Sequence, residues 1–176
     1  MPRDAVIPPN SDFSALLAAF NDAGVEYLLI GGRAYSFHDQ PRYTKDYDIS
    51  IRPTIDNAER AYAALVHFGA PLADVTRDDL IDPDAFYAMG VPPNRVDVLS
   101  MIDGITFDEA WPRRVEGRHG DERMWVIGVD DLITNTVGNL HSIAASEVRF
   151  LRRGLNIYVA SAVCDAAKSI LAPRCI

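Results

Sequence analysis

Apolar residues recur along this chain with two different periods, and the changes of period mark its elements. Phe13, Leu16, Leu17 and Phe20 fall at i, i+3, i+4 and i+7, behind Ser11 and Asp12 and ahead of Gly24, which is the stripe of an amphipathic helix. VEYLLI, residues 25–30, is a short run of strand formers closed by Gly31 and Gly32; RAYSFHDQ after it predicts a short helix stopped by Pro41. DYDISI, residues 46–51, alternates strictly, with Tyr47, Ile49 and Ile51 on one face and Asp46, Asp48 and Ser50 on the other, and Pro53 ends this second strand. From Thr54, a suitable N-cap, a helix runs through Ala58, Ala61, Tyr62, Leu65 and Phe68 to Gly69 at C′. Residues 71–93 read as irregular, with a turn of helix near Asp84 to Met89. RVDVLSMI (95–102) and ERMWVIGV (122–129) predict a third and a fourth strand, with a short helix in FDEAWPRR between them. A last helix starts at Asp130 or Asp131, whose charges favour its N-terminal dipole, and one or two further helices follow from 148 onwards. This order predicts an α/β fold: one small mixed β-sheet with helices packed on it, followed by a C-terminal helical tail.

Composition narrows the setting. At 176 residues, 48% of them apolar, the chain has the size and core content of one ordinary domain. No apolar run approaches the roughly 20 residues a membrane helix needs, so the expectation is a soluble cytoplasmic protein with no membrane partner. Cys164 and Cys175 are the only cysteines, and His38, His67, His119 and His141 are scattered, so neither a disulfide framework nor a local zinc set is present. The net charge of −8 argues against binding extended duplex DNA, which calls for a basic face. That charge is unevenly spread: residues 1–136 carry 12 Lys and Arg against 23 Asp and Glu, whereas residues 137–176 carry 5 against 2. Two regions are therefore expected, a main domain over 1–136 and a tail over 137–176.

The second strand carries the chemistry. Asp is depleted in strands, and like charges on one face repel, so Asp46 and Asp48 do nothing for strand stability. Residues i and i+2 of a strand project from one face about 7 Å apart, which lets the two carboxylates converge on one site. Such a pair is costly unless a divalent cation lies between them, and all-oxygen ligands select Mg²⁺ first and Mn²⁺ next. Asp97 interrupts the third strand between Val96 and Val98; if that strand lies beside the second, Asp97 reaches the same centre. Three acids on adjacent strands are the minimum for two metal ions about 3.5–4 Å apart, the clamp used in phosphoryl transfer. Gly31 and Gly32, between a strand and a helix, suit phosphate oxygens through exposed backbone N–H groups. Each feature alone has a plainer reading: a tight turn for the glycines, a solvated edge for the Asp pair, a satisfied core acid for Asp97. A calcium loop fails, because counting from Asp46 puts Ile51 where Gly is needed and Asn57 where Glu is needed. Trp111, Trp125 and Phe150 read as core and not as a base-stacking surface.

The order strand, Gly-Gly, about a dozen residues, Asp-x-Asp, then a later strand with a lone Asp resembles the nucleotidyltransferase superfamily, the fold of DNA polymerase beta and the minimal nucleotidyltransferases. YLLIGGRAYSFHDQPRYTKDYDISI, VDVLSMIDGITFDEAW and WVIGVDDLI are similar to the branch of AbiE-type toxins and related nucleotidyltransferase-like proteins. The resemblance covers most of residues 11–136. It implies metal-dependent transfer of a nucleoside monophosphate from an NTP to a hydroxyl of a protein or RNA acceptor, with Mg²⁺ or Mn²⁺ as cofactor, in a toxin–antitoxin or antiphage setting. Carried over, Gly31 and Gly32 hold the triphosphate, Asp46, Asp48 and Asp97 ligate the metals, and Asp97 helps deprotonate the acceptor. Arg42 and Thr44 fall in the branch pattern, and Arg33 stands where many members have Ser, offering a cation to the phosphates. Thr136 departs from the pattern, since the branch has Lys there and basic residues after it, whereas here the next is Arg149. That departure supports an alternative: a catalytically weak relative that acts by binding a cognate partner protein. A sugar-nucleotide-dependent glycosyltransferase would leave the Gly-Gly turn unexplained.

Overall fold

The computed structural model describes residues 11–39, 46–91 and 94–144. The chain divides into two units, Met1–Thr136 and Val137–Ile176, and the sheet belongs wholly to the first. The residues beyond Ala144, where the tail helices are expected, lie outside those described, as do Arg42, Thr44 and Lys45.

Helix α1 (Ser11–Asp22) leads into β1 (Tyr27–Ile30), α2 (Gly31–His38), β2 (Asp46–Ile51) and α3 (Ile55–Phe68). Then come β3 (Phe86–Met89), β4 (Arg95–Leu99), α4 (Phe107–Ala110) with a 3₁₀ turn at Trp111–Arg113, β5 (Val115–His119), β6 (Glu122–Val126) and α5 (Val129–Ala144). The strands form one mixed sheet in the order β3-β4-β2-β1-β6-β5. β1 is antiparallel to β2 and parallel to β6, and β2 is parallel to β4. The chain is thus an α/β fold built on a mixed sheet of six strands.

Alternation decides which face is the core. Tyr47, Ile49, Ile51, Val96, Val98, Tyr27, Leu29, Met124 and Val126 are all buried. They share one side of the sheet by register, and α1 and α3 pack there. Phe13 of α1 stacks on Tyr47 with ring centroids 3.8 Å apart, and His119 meets Phe13 edge-on at 5.0 Å. The ends of α3 follow from its caps: the Thr54 hydroxyl accepts from the Asn57 N–H at 3.3 Å, and Gly69 takes the left-handed conformation at φ 84°.

The sequence expectation misses two strands. Residues 86–89 form β3 instead of a helical turn, because they pair antiparallel with β4; Tyr87 and Met89 turn inward while Phe86 and Ala88 face out. Val115–His119 forms β5, held to β6 across Gly120 and Asp121, with Gly120 at φ 62°. Strands three and four end earlier than expected, at Leu99 and Val126, and α5 starts at Val129. Among the described residues no helix is long and apolar enough to cross a membrane.

A buried amide ties α3 to the strand ends. Asn57, with no exposed surface, accepts from the Glu26 N–H at 2.8 Å and donates to the carbonyls of Glu26 and Arg52, each at 3.0 Å. Asn57→Ala would strip the Glu26 N–H and the Arg52 carbonyl of their side-chain partner and leave the Glu26 carbonyl only the Arg52 N–H. It should cost about 2–4 kcal/mol in urea unfolding, against about 1 kcal/mol for Thr54→Ala; equal losses for the two would contradict this account.

Candidate active site

The site is built by strand pairing. β2 and β4 run parallel with Asp48 opposite Asp97 and Asp46 opposite Arg95. Because Tyr47, Ile49, Val96 and Val98 are buried in the core, Asp46, Asp48, Arg95 and Asp97 leave the sheet together on the other face. Three carboxylates and one guanidinium therefore share the start of two adjacent strands. β1 borders them, with Ile30 opposite Asp48.

Gly31, the residue after Ile30, has φ 65°, and a β-carbon there would collide with Oδ2 of Asp48 and lie 3.0 Å from its Cγ. The glycine is required twice over, by conformation and by the carboxylate that rests against it. Gly32 continues into α2, where its carbonyl accepts from the Ser36 hydroxyl at 3.0 Å. Its partner glycine brings the turn to the acids, so Gly31, Asp46, Asp48 and Asp97 stand together.

Electrostatics at this cluster are unfavourable. The Asp48 carboxyl is pushed up to about 6, chiefly by burial and then by the like charges of Asp97 and Asp46, with Arg95 opposing them. Oδ1 of Asp46 is buried with no hydrogen-bond partner. Arg95 donates from Nε to Oδ1 of Asp97 at 2.7 Å, so its guanidinium is committed to one of the three acids. Among the described residues no group of three or more His, Cys, Asp and Glu side chains stands in metal-ligand geometry. The donor set nevertheless suits a hard cation: it is all carboxylate oxygen, it includes a buried unpartnered oxygen, and its mutual repulsion would be relieved by positive charge.

Other sequence candidates lie elsewhere. The Arg33 guanidinium lies 4.3 Å from the centroid of Tyr47, whose ring leaves β2 on the core face, opposite to Asp46 and Asp48. Its Nε is buried and makes no hydrogen bond. Arg33 is therefore not brought to the acids. Arg42 and Thr44 fall outside the described residues. Thr136, in α5, donates its hydroxyl to the Leu132 carbonyl at 2.9 Å, within its own helix.

Sequence reasoning missed Arg95, although the signal was present: it precedes Asp97 by two, the same spacing that links Asp46 to Asp48. It also missed the arginines around the tryptophans. The guanidinium of Arg114 lies 3.9 Å from the Trp111 ring centroid and 4.5 Å from that of Trp125, and Arg123 lies over Trp125 at 5.0 Å. Basic and aromatic side chains are interleaved in space, and in the sequence Arg113, Arg114, Arg118 and Arg123 already stand between Trp111 and Trp125. A cavity of about 530 Å³ opens beside Pro53, Ser100, Met101 and Phe107, beyond the far ends of β2 and β4 and away from the acids.

The raised Asp48 carboxyl fixes the sign of a pH effect. Its folded-state value of about 6 lies above the ordinary 3.8, so between about pH 4 and 6 the native chain holds a proton that the unfolded chain has released. Its contribution to stability therefore falls as pH rises through that window. Asp48→Asn should match wild type near pH 4 and exceed it by about 1–3 kcal/mol above pH 6.5, read from urea midpoints across pH. A difference independent of pH would refute the assignment.

No protein-family model, curated protein or solved structure matches this chain.

Proposed function

We propose that this chain is a metal-dependent nucleotidyltransferase of the DNA polymerase beta-like fold. On this reading it moves a nucleoside monophosphate from an NTP to a hydroxyl of a protein or RNA acceptor. The observation that carries the reading is the pairing of Asp48 with Asp97 on one sheet face, with Asp46 beside them and Gly31 packed against Asp48. A strand followed by Gly-Gly, an Asp-x-Asp strand, and a neighbouring strand with a lone Asp is the order that the superfamily uses for this chemistry.

Asp46, Asp48 and Asp97 are the residues that would hold Mg²⁺ or Mn²⁺. When bound, the metal supplies charge neutralisation at the triphosphate and eases ionisation of the acceptor hydroxyl. The chain does the rest by position. The backbone at Gly31 and Gly32, where α2 begins, receives phosphate oxygens. Asp97 accepts the proton of the acceptor hydroxyl as its oxygen bonds to the α-phosphorus. The bond from that phosphorus to the bridging oxygen breaks, and pyrophosphate departs with the electron pair. The net negative charge of residues 1–136 favours a protein or a compact RNA end over long duplex as acceptor.

A second reading is a weakly active or inactive relative that binds a cognate partner protein, as in a toxin–antitoxin pair. The observation favouring it is the Arg95–Asp97 ion pair, which engages one of the three acids within the chain itself.

Labelled NTPs, offered in turn with Mg²⁺ or Mn²⁺ and with RNA or protein extracts, separate the two. Transfer of label by wild type, reduced at least about hundredfold by Asp46→Asn or Asp48→Asn, is the expected result. The same Asp48→Asn protein should unfold no more readily than wild type at pH 7.5, so its inactivity is not misfolding. Label transfer that survives both substitutions would overturn the catalytic assignment, and none from wild type in any mixture would favour the partner-binding reading.

A further inference from the structure

Arg95 is more than a neighbour of the acids. It faces the same side of the sheet as Asp46, its register partner on β2, and Asp97, two residues on along β4. Its Nε–H donates to Oδ1 of Asp97 at 2.7 Å, with the Asp97 side chain 15% exposed and that of Arg95 36% exposed. A charge-assisted bond at that length, on a carboxylate largely withdrawn from water, is among the stronger polar contacts a side chain makes. The remaining acids gain little from it: Oδ1 of Asp46 is buried without a partner, and Asp48 feels the like charges of Asp46 and Asp97. Among the described residues, one monovalent guanidinium thus serves three carboxylates and satisfies one.

We propose that Arg95 is a tethered counter-cation that competes with the divalent cation for Asp97, holding that carboxylate while the cation is absent and yielding it when the cation binds. The inference rests on the metal-binding reading of the acids. A tethered group has no association entropy to lose, so it occupies Asp97 whenever nothing stronger does. A divalent ion wins because it satisfies all three carboxylates at once, including the buried oxygen of Asp46 that Arg95 leaves unpaired. Once released, the guanidinium remains beside the site as a free planar donor, suited to a phosphate oxygen. Arg95 is a positioning residue in this scheme, acting through Asp97.

The test is Mn²⁺ binding to the full chain, by calorimetry and by the Mn²⁺-induced rise in Tm, for wild type, Arg95→Gln, Asp97→Asn and the double variant. Arg95→Gln should bind Mn²⁺ about tenfold more tightly than wild type, the change that removal of one charge-assisted hydrogen bond to a competing ligand produces. It should also have the lower Tm in chelator. In the Asp97→Asn background the same Arg95→Gln change should leave Mn²⁺ affinity unaltered, because there is no carboxylate left to contest. Equal tightening in both backgrounds would reduce Arg95 to a general repulsive charge and overturn the proposal, as would unchanged or weaker binding by Arg95→Gln when wild type binds. If neither wild type nor Arg95→Gln binds Mn²⁺, the metal-binding reading itself fails and takes this inference with it. Binding by Arg95→Gln alone would support the competition in its strongest form.

Discussion

The parallel pairing of β2 with β4 is the constraint on which the rest of this domain depends. A one-residue slip of β2 against β4 would turn Asp46 and Asp48 into the space held by Tyr47 and Ile49, exchanging two apolar side chains for two charges and parting them from Asp97. The hydrophobic face therefore fixes the register, and the register assembles the acids. Core packing and the candidate site are two sides of one alternation: Phe13 against Tyr47 below the sheet holds the same strand whose Asp46 and Asp48 emerge above it.

That arrangement has an energetic cost that the fold does not need. An apolar or neutral residue at position 48 would remove a partly desolvated carboxyl from between two others. Gly31 adds to the cost: a residue with a side chain would be less flexible in the unfolded state, but it would strike Asp48 and strain the backbone. Carboxylate repulsion and a position that admits only glycine, gathered at one point, mark the place where stability has been exchanged for something else.

How much of this was legible follows from which physics is local. The face assignment of Asp46 and Asp48, the caps at Thr54 and Gly69 and the stripe of α1 are set by residues within a turn or two, and the linear pattern contains them. β3 and β5 depend on partners. FYAM follows Asp82, Pro83 and Asp84 and becomes a strand because it pairs antiparallel with β4. VEGRH has little apolar alternation, and its central Gly117 has room for no side chain because Phe37 of α2 lies where a β-carbon would go. Side-chain pairings were less visible still: Arg114 reaches Trp125 from eleven positions away, and no period in the sequence announces it. Arg95 is the instructive case, since the period-two rule applied to the second strand finds it when applied to the fourth.

Arg33 and Arg95, both candidate cations for a phosphate, end up on different sides. Gly31, at φ 65°, rests against Asp48, whereas Arg33 two residues on lies over the ring of Tyr47, which leaves β2 on the core face. The side chain at position 33 therefore acts on core-side packing before it acts on the carboxylates. Among the described residues, the cation that β-strand alternation delivers to the acids is Arg95, and the strand that carries it is the one that carries Asp97.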